Sequence, residues 1–158
     1  MTKILVIGYG NPGRRDDGLG PALIKLIEEH GLGCESGECG VTTDSDYQLN
    51  IEYSVDFAKH DIVIMIDAGE TGPEPFAFER VIPSKDTRFT THSMSPGMLA
   101  ALTGELTETP PDCHLLAIRG YDFDFGDGLS AEAESNMLAA YDFLESFIAE
   151  LKKRTVDQ

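Results

Sequence analysis

The chain has 158 residues, 41% of them hydrophobic, and a formal net charge of −16. That length suits one domain spanning 1–158, and that apolar share is enough to bury a core, which excludes a disordered chain. So acidic a surface repels phosphate backbones and anionic lipids, which makes nucleic acid and membranes poor partners.

No apolar run approaches the ~20 residues that cross a bilayer. The opening MTKILVIGYG carries one Lys and a short apolar run ending in glycines, which reads as a first strand and not as a secretory signal. Three cysteines make an odd number for a disulfide framework, so a reduced, cytoplasmic chain is the simplest expectation.

Ile4–Gly8 is a β-branched run expected to form a fully buried strand. Leu19, Ala22, Leu23, Leu26 and Ile27 then recur at helical spacing, with Gly31 as the stop. Gly40–Asp44 reads as a weak strand inside a vague stretch, and a modest helix is expected from about Ile51 to Ala58. Asp61–Asp67 (DIVIMID) is the strongest strand of the chain, ended by Ala68-Gly69. Phe76–Ile82 alternates as a further strand. Ser95–Thr103 reads as a helix with Pro in its first turn, and Cys113–Ile118 as another buried strand. A long helix follows from about Ser130, with Met137, Tyr141, Leu144, Ile148 and Leu151 as its apolar stripe. Glu132 and Glu134 near its start and Lys152, Lys153 and Arg154 at its end suit the helix dipole.

Strands alternating with helices predict an α/β fold: three layers, a largely parallel twisted sheet and helices on both faces. Such sheets bind ligands outside the carboxyl ends of their strands.

The loop Gly8-Tyr9-Gly10-Asn11-Pro12-Gly13 fits the dinucleotide pattern G-x-G-x-x-G after a strand. Arg14-Arg15-Asp16-Asp17-Gly18 intervenes before helical periodicity begins, and its two carboxylates would stand where a pyrophosphate belongs. Tight turning and close packing explain the glycines more simply. GYGNPG also resembles the opening of bacterial peptidyl-tRNA hydrolases, but 14–18 holds no His where that family carries its catalytic one, and the charge is wrong for tRNA.

Three polar groups fall where strand ends deliver them: Asp16 or Asp17 after the first strand, Asp67 closing DIVIMID, and His92 in the loop before the third helix. Two carboxylates and an imidazole suit a divalent ion with open positions left for water or substrate. Singly, each has an ordinary explanation: Asp17 as a helix cap, Asp67 as a turn residue, His92 as a surface histidine.

Gly8-x-Gly10-Asn11, Asp16-Asp17-Gly18-x-Gly20, Ile66-Asp67-Ala68 and His92-x-x-Ser95 together resemble the [NiFe]-hydrogenase maturation endopeptidases. Ala117-Ile118-Arg119-Gly120, Phe125-Gly126-x-Gly128-Leu129-Ser130 and the final helix carry the likeness to about Leu151. The resemblance implies a phosphorylase/hydrolase-like α/β fold. It also implies a processing endopeptidase that removes the C-terminal extension of a hydrogenase large-subunit precursor after nickel insertion. By motif, Asp17, Asp67 and His92 take the catalytic and metal-contacting positions; many members carry Glu at the first, so Asp16 stands as an alternative. The implied nickel is carried by the precursor, other divalent cations such as Zn or Cd are expected to bind in vitro, and the enzyme is expected to be a cytoplasmic monomer.

Two other functions fit the same residues, a nonenzymatic module that binds a metal-loaded partner and an NAD-binding enzyme. Cys34, Cys39 and Cys113 form no C-x-x-C pair. His30 and His114 read as surface or packing residues, and His60 as a helix-end residue. Asp122, Asp124 and Asp127 lack the register of a calcium loop, so they read as solvated acids around partly buried Phe123 and Phe125.

Overall fold

The computed structural model describes residues 2–38, 40–84 and 94–156. Five strands form one sheet: β1 (Ile4–Tyr9), β2 (Val41–Asp46), β3 (Ile62–Gly69), β4 (Phe76–Arg80) and β5 (Asp112–Arg119). Their order across the sheet is β2-β1-β3-β5-β4. All neighbours are parallel except β4, which pairs antiparallel with β5 at the edge. The helices are α1 (Leu19–Glu29), α2 (Tyr53–Ala58), α3 (Pro96–Leu106) and α4 (Ala131–Val156).

The period of two along β1 and β3 builds both cores. Ile4, Val6, Ile64 and Ile66 face Leu19, Leu23 and Ile27 of α1 and Tyr141, Leu144 and Ile148 of α4. Leu5, Ile7, Val63 and Met65 face Tyr53 and Phe57 of α2 and Leu99 of α3. A strand apolar on both faces needs a helix layer on each, and the molecule has the expected three layers.

Local chemistry sets the ends. Ser95 caps α3 by accepting the Met98 N–H at 3.2 Å, with Pro96 as the first helical residue. Gly31, in the left-handed region at φ +72°, follows the end of α1.

Several boundaries differ from expectation by one to three residues, among them those of β4, β3 and α2. β4 stops at Arg80: Val81 still donates to Cys113 O, but Pro83 has no N–H to extend the ladder and Ile82 is exposed. β3 runs two residues past Asp67, pairing Asp67 with Ala117 and Gly69 with Arg119. α2 starts at Tyr53 because Asn50 Oδ1 takes the Glu52 N–H and holds 50–52 as a turn. Among the described residues no helix is long and apolar enough to cross a membrane.

Candidate active site

From β1 the chain passes through α1 to β2 on one side, then through α2 to β3 on the other. The connections therefore diverge between β1 and β3, and the crevice at their carboxyl ends is where such sheets bind ligands. Close packing brings the elements together there. A Cβ on Gly20 would lie 2.6 Å from both N and O of Tyr9 and 2.7 Å from Ile66 O, so only glycine lets α1 descend onto β1 and β3. The glycine loop serves helix–strand packing, and α1 opens only at Leu19, after a 3-10 turn over Arg15–Gly18.

Asp16 and Asp17 lie in that turn and have separate uses. Asp16 is completely buried. Its Oδ2 accepts Tyr121 N–H (2.8 Å), Asp122 N–H (3.0 Å) and the Ser130 hydroxyl (2.7 Å), and its Oδ1 accepts Ser130 N–H (2.7 Å). Burial alone would raise its pKa, but these bonds prevail and hold it below the usual carboxylate range. With its oxygens so engaged, Asp16 is no substitute ligand: it ties the turn to loop 120–130. The same two segments share Arg15 N–H to Gly126 O and Gly126 N–H to Gly13 O. Those contacts hold Arg15 at φ +46°, a conformation a non-glycine residue adopts only when its surroundings impose it.

Asp17 is half-buried, and its Oδ2 accepts the Asn11 N–H at 2.8 Å. It does not cap α1, whose cap residue is Gly18 without a side-chain bond. Asp67 stands one residue beyond the Gly8–Ile66 pair. Its Oδ1 accepts Ala68 N–H at 2.7 Å, and it accepts the Tyr9 hydroxyl. Burial pushes its carboxyl up to about 6, and the Asp17 carboxylate adds to that shift, against the two hydrogen bonds. Burial and the adjacent Asp67 charge push the Tyr9 phenol up. Two carboxylates in mutual repulsion, one of them largely desolvated, form a site that a cation relieves.

Met94, just before α3, lies on the face of the sheet that carries Tyr9. It packs against the cluster that includes Tyr9, and its N–H donates to Leu49 O at 3.3 Å. His92, two residues earlier, lies outside the described residues, as does Cys39. Among the described residues no group of three or more His, Cys, Asp and Glu side chains converges to hold a metal; Asp17 and Asp67 stand as a pair.

Three contributors escaped the sequence reading. In sequence Tyr9 is only the variable position of G-x-G, and Ser130 only the last position of a motif and the start of a helix, with no role assigned. Asp46 ends β2, accepts Gly10 N–H through its carbonyl and takes the Tyr53 hydroxyl at 2.6 Å. Gly10, Pro12, Pro21, Ser45, Asp46 and Tyr47 line an open groove of about 220 Å³ beside the turn. A larger cavity of about 530 Å³, between β4, β5 and α3, opens at the amino end of β5 and holds none of these groups.

No protein-family profile and no curated protein matches the chain. Solved structures do. HycI, a [NiFe] hydrogenase maturation protease from Thermococcus kodakarensis KOD1, shares 20% identity over 92% of this chain and 91% of its own, with a TM-score of 0.68. The hydrogenase maturating endopeptidase HybD from E. coli gives 0.70 at 18% identity over 94% and 93%. A hydrogenase 2 maturation peptidase from Thaumarchaeota archaeon SCGC_AB-539-E09 gives 0.64 at 22% over 93% and 98%.

The chain has the fold of the [NiFe] hydrogenase maturation proteases.

In this maturation-protease fold His30, His60, His114 and Cys113 make local or packing contacts. His114 stacks on Phe78 with ring centroids 5.0 Å apart, and its burial lowers its pKa. His60 Nδ1 lies 2.7 Å from Asp56 O, and His30 packs on Tyr141. Cys113 is buried, which pushes its thiol up to about 11 and leaves it a poor nucleophile. One expectation fails: Phe125 is not partly buried but 88% exposed, because the backbone bonds of loop 120–130 turn it outward.

Proposed function

We propose that this chain is an endopeptidase that removes the C-terminal extension of a [NiFe]-hydrogenase large-subunit precursor once nickel is in place. The observation that carries the reading is the Asp17–Asp67 pair at the β1/β3 crevice of a maturation-protease fold. Asp17 and Asp67 supply one carboxylate each to the metal presented by the precursor, and His92 supplies the third ligand. Nickel belongs to the substrate: it marks the precursor as loaded and fixes the scissile bond relative to the two carboxylates. Two carboxylates and one imidazole, with open positions, suit a transient grip better than a resident metal. An open groove beside the turn gives an extended tail room to reach the pair.

Incubation with nickel-loaded and nickel-free precursor, followed by mass spectrometry, tests the reading. Loss of the extension from the loaded precursor alone is expected. Binding without any loss of mass would instead make the chain a nonenzymatic sensor of the loaded state.

A further inference from the structure

Loop 120–130 presents an exposed aromatic ring on an immobilised backbone. Phe125 is 88% exposed, yet the residues on both sides of it are fixed. Asp124 N–H bonds to Asp122 Oδ1 at 3.1 Å. Gly126 donates to Gly13 O (2.9 Å) and accepts from Arg15 N–H (3.0 Å). A Cβ on Gly126 would lie 2.9 Å from Arg15 Nε, so the Arg15 side chain packs directly on that backbone, and it also pairs with Asp122 at 3.5 Å. Asp16 holds the loop at Tyr121, Asp122 and Ser130. Through Asp16 the loop is registered to the adjacent residue, Asp17.

We infer that Phe125 is a docking residue for the protein substrate, on which an apolar side chain of the precursor packs to set its scissile segment against the Asp17–Asp67 pair. This rests on the endopeptidase reading. Scattered exposed apolar residues are ordinary on any surface. Phe125 differs from Leu138 and Leu106 in being an aromatic ring on a loop bonded to the candidate site. Rigid aromatic anchors dominate protein interfaces, since packing on them buries large apolar area without the cost of ordering a loop. The ring stands clear of every cavity described above, which fits a protein surface better than a small molecule.

The test compares wild type, Phe125→Ala, Phe125→Leu and the control Leu138→Ala. Cleavage of nickel-loaded precursor is followed by mass spectrometry, and precursor binding by calorimetry. Phe125→Ala is expected to raise KM and the precursor Kd about tenfold, equivalent to ~1.4 kcal/mol, with a kcat effect under about twofold. Phe125→Leu should recover most of the loss, and Leu138→Ala should match wild type. If wild type cleaves and Phe125→Ala has the same KM, the docking inference falls alone. If wild type binds through Phe125 without cleaving, docking stands and the endopeptidase reading falls; with neither binding nor cleavage, both fall. Phe125-dependent self-association of the chain in sedimentation would assign the ring to a second copy and overturn the inference.

Discussion

The phenol of Tyr9 donates a hydrogen bond to the carboxylate of Asp67, joining the ends of β1 and β3 where the sheet's connections diverge. The bond favours the ionised carboxylate, whereas burial and the Asp17 charge oppose it and prevail. Asp67 is thus mostly ionised at neutral pH at a cost in stability, a cost that a cation beside it would relieve.

A stability measurement exposes that cost. Asp67 is raised to about 6 in the folded chain, against ~3.9 unfolded. A group whose folded value is raised contributes stability at low pH that is lost as pH rises through that value. Relative to Asp67→Asn, the metal-free wild type should match the variant near pH 4 and become less stable by on the order of 2–3 kcal/mol above pH 6. Urea titrations of both proteins from pH 4 to 8 check this; a difference that stays flat or changes in the opposite direction contradicts it.

Tyr9→Phe removes the bond that favours ionisation while keeping the ring. The Asp67 carboxyl should then titrate above its wild-type value, seen as a later midpoint in its carbon-13 chemical shift. An unchanged or lower midpoint would mean that the phenol does not act on Asp67.

The two adjacent acids should behave very differently on truncation. Asp16→Ala leaves the N–H groups of Tyr121, Asp122 and Ser130 without their buried acceptor, which should cost about 3–5 kcal/mol. Asp17→Ala removes one acceptor from a half-buried N–H and should cost about 1 kcal/mol, while abolishing precursor cleavage. Equal losses in urea denaturation would contradict the separate roles of the two residues.

Much of this was legible in sequence because the residues obey strong local rules. DIVIMID can only be a strand buried on both faces, and the 4, 3, 4, 3 stripe of the last helix fixes which side it covers. The crevice follows from alternating elements, and the loop after β1 and the end of β3 put Asp16 or Asp17 opposite Asp67; the choice of Asp17 comes from the resemblance to the maturation endopeptidases. What sequence concealed was long-range. Asp16 meets its partners 105 to 114 residues away, and nothing local separates it from Asp17. The sequence suggests partly buried rings at Phe123 and Phe125; the backbone bonds of Gly126 to Gly13 and Arg15, invisible in composition, turn Phe125 to water. β2 is weak in sequence because Thr42, Thr43, Asp44 and Ser45 lack the apolar alternation that usually marks a strand.

Gly20, the second residue of α1, offers a test of packing. Gly20→Ala forces a methyl group against the backbones of Tyr9 and Ile66, neither of which can rotate aside as a side chain can. The expected cost is about 1–3 kcal/mol or more, with carbon-13 shifts perturbed at Tyr9 and Asp67. Wild-type stability for this variant would show that α1 does not approach β1 and β3 so closely.

The most direct test of the central claim, that Asp17, Asp67 and His92 form the metal-contacting site, is a crystal soaked in a divalent cation at pH 7. A zinc-sized ion should bind one oxygen from each carboxylate and a nitrogen of His92 at ~2.0–2.2 Å, with water completing the shell. Occupancy should fall below about pH 6, where Asp67 takes up its proton, since a ligand must be deprotonated to bind the ion. An ion settled instead on the Asp122–Asp127 loop, or bound identically by Asp67→Asn, would contradict the account.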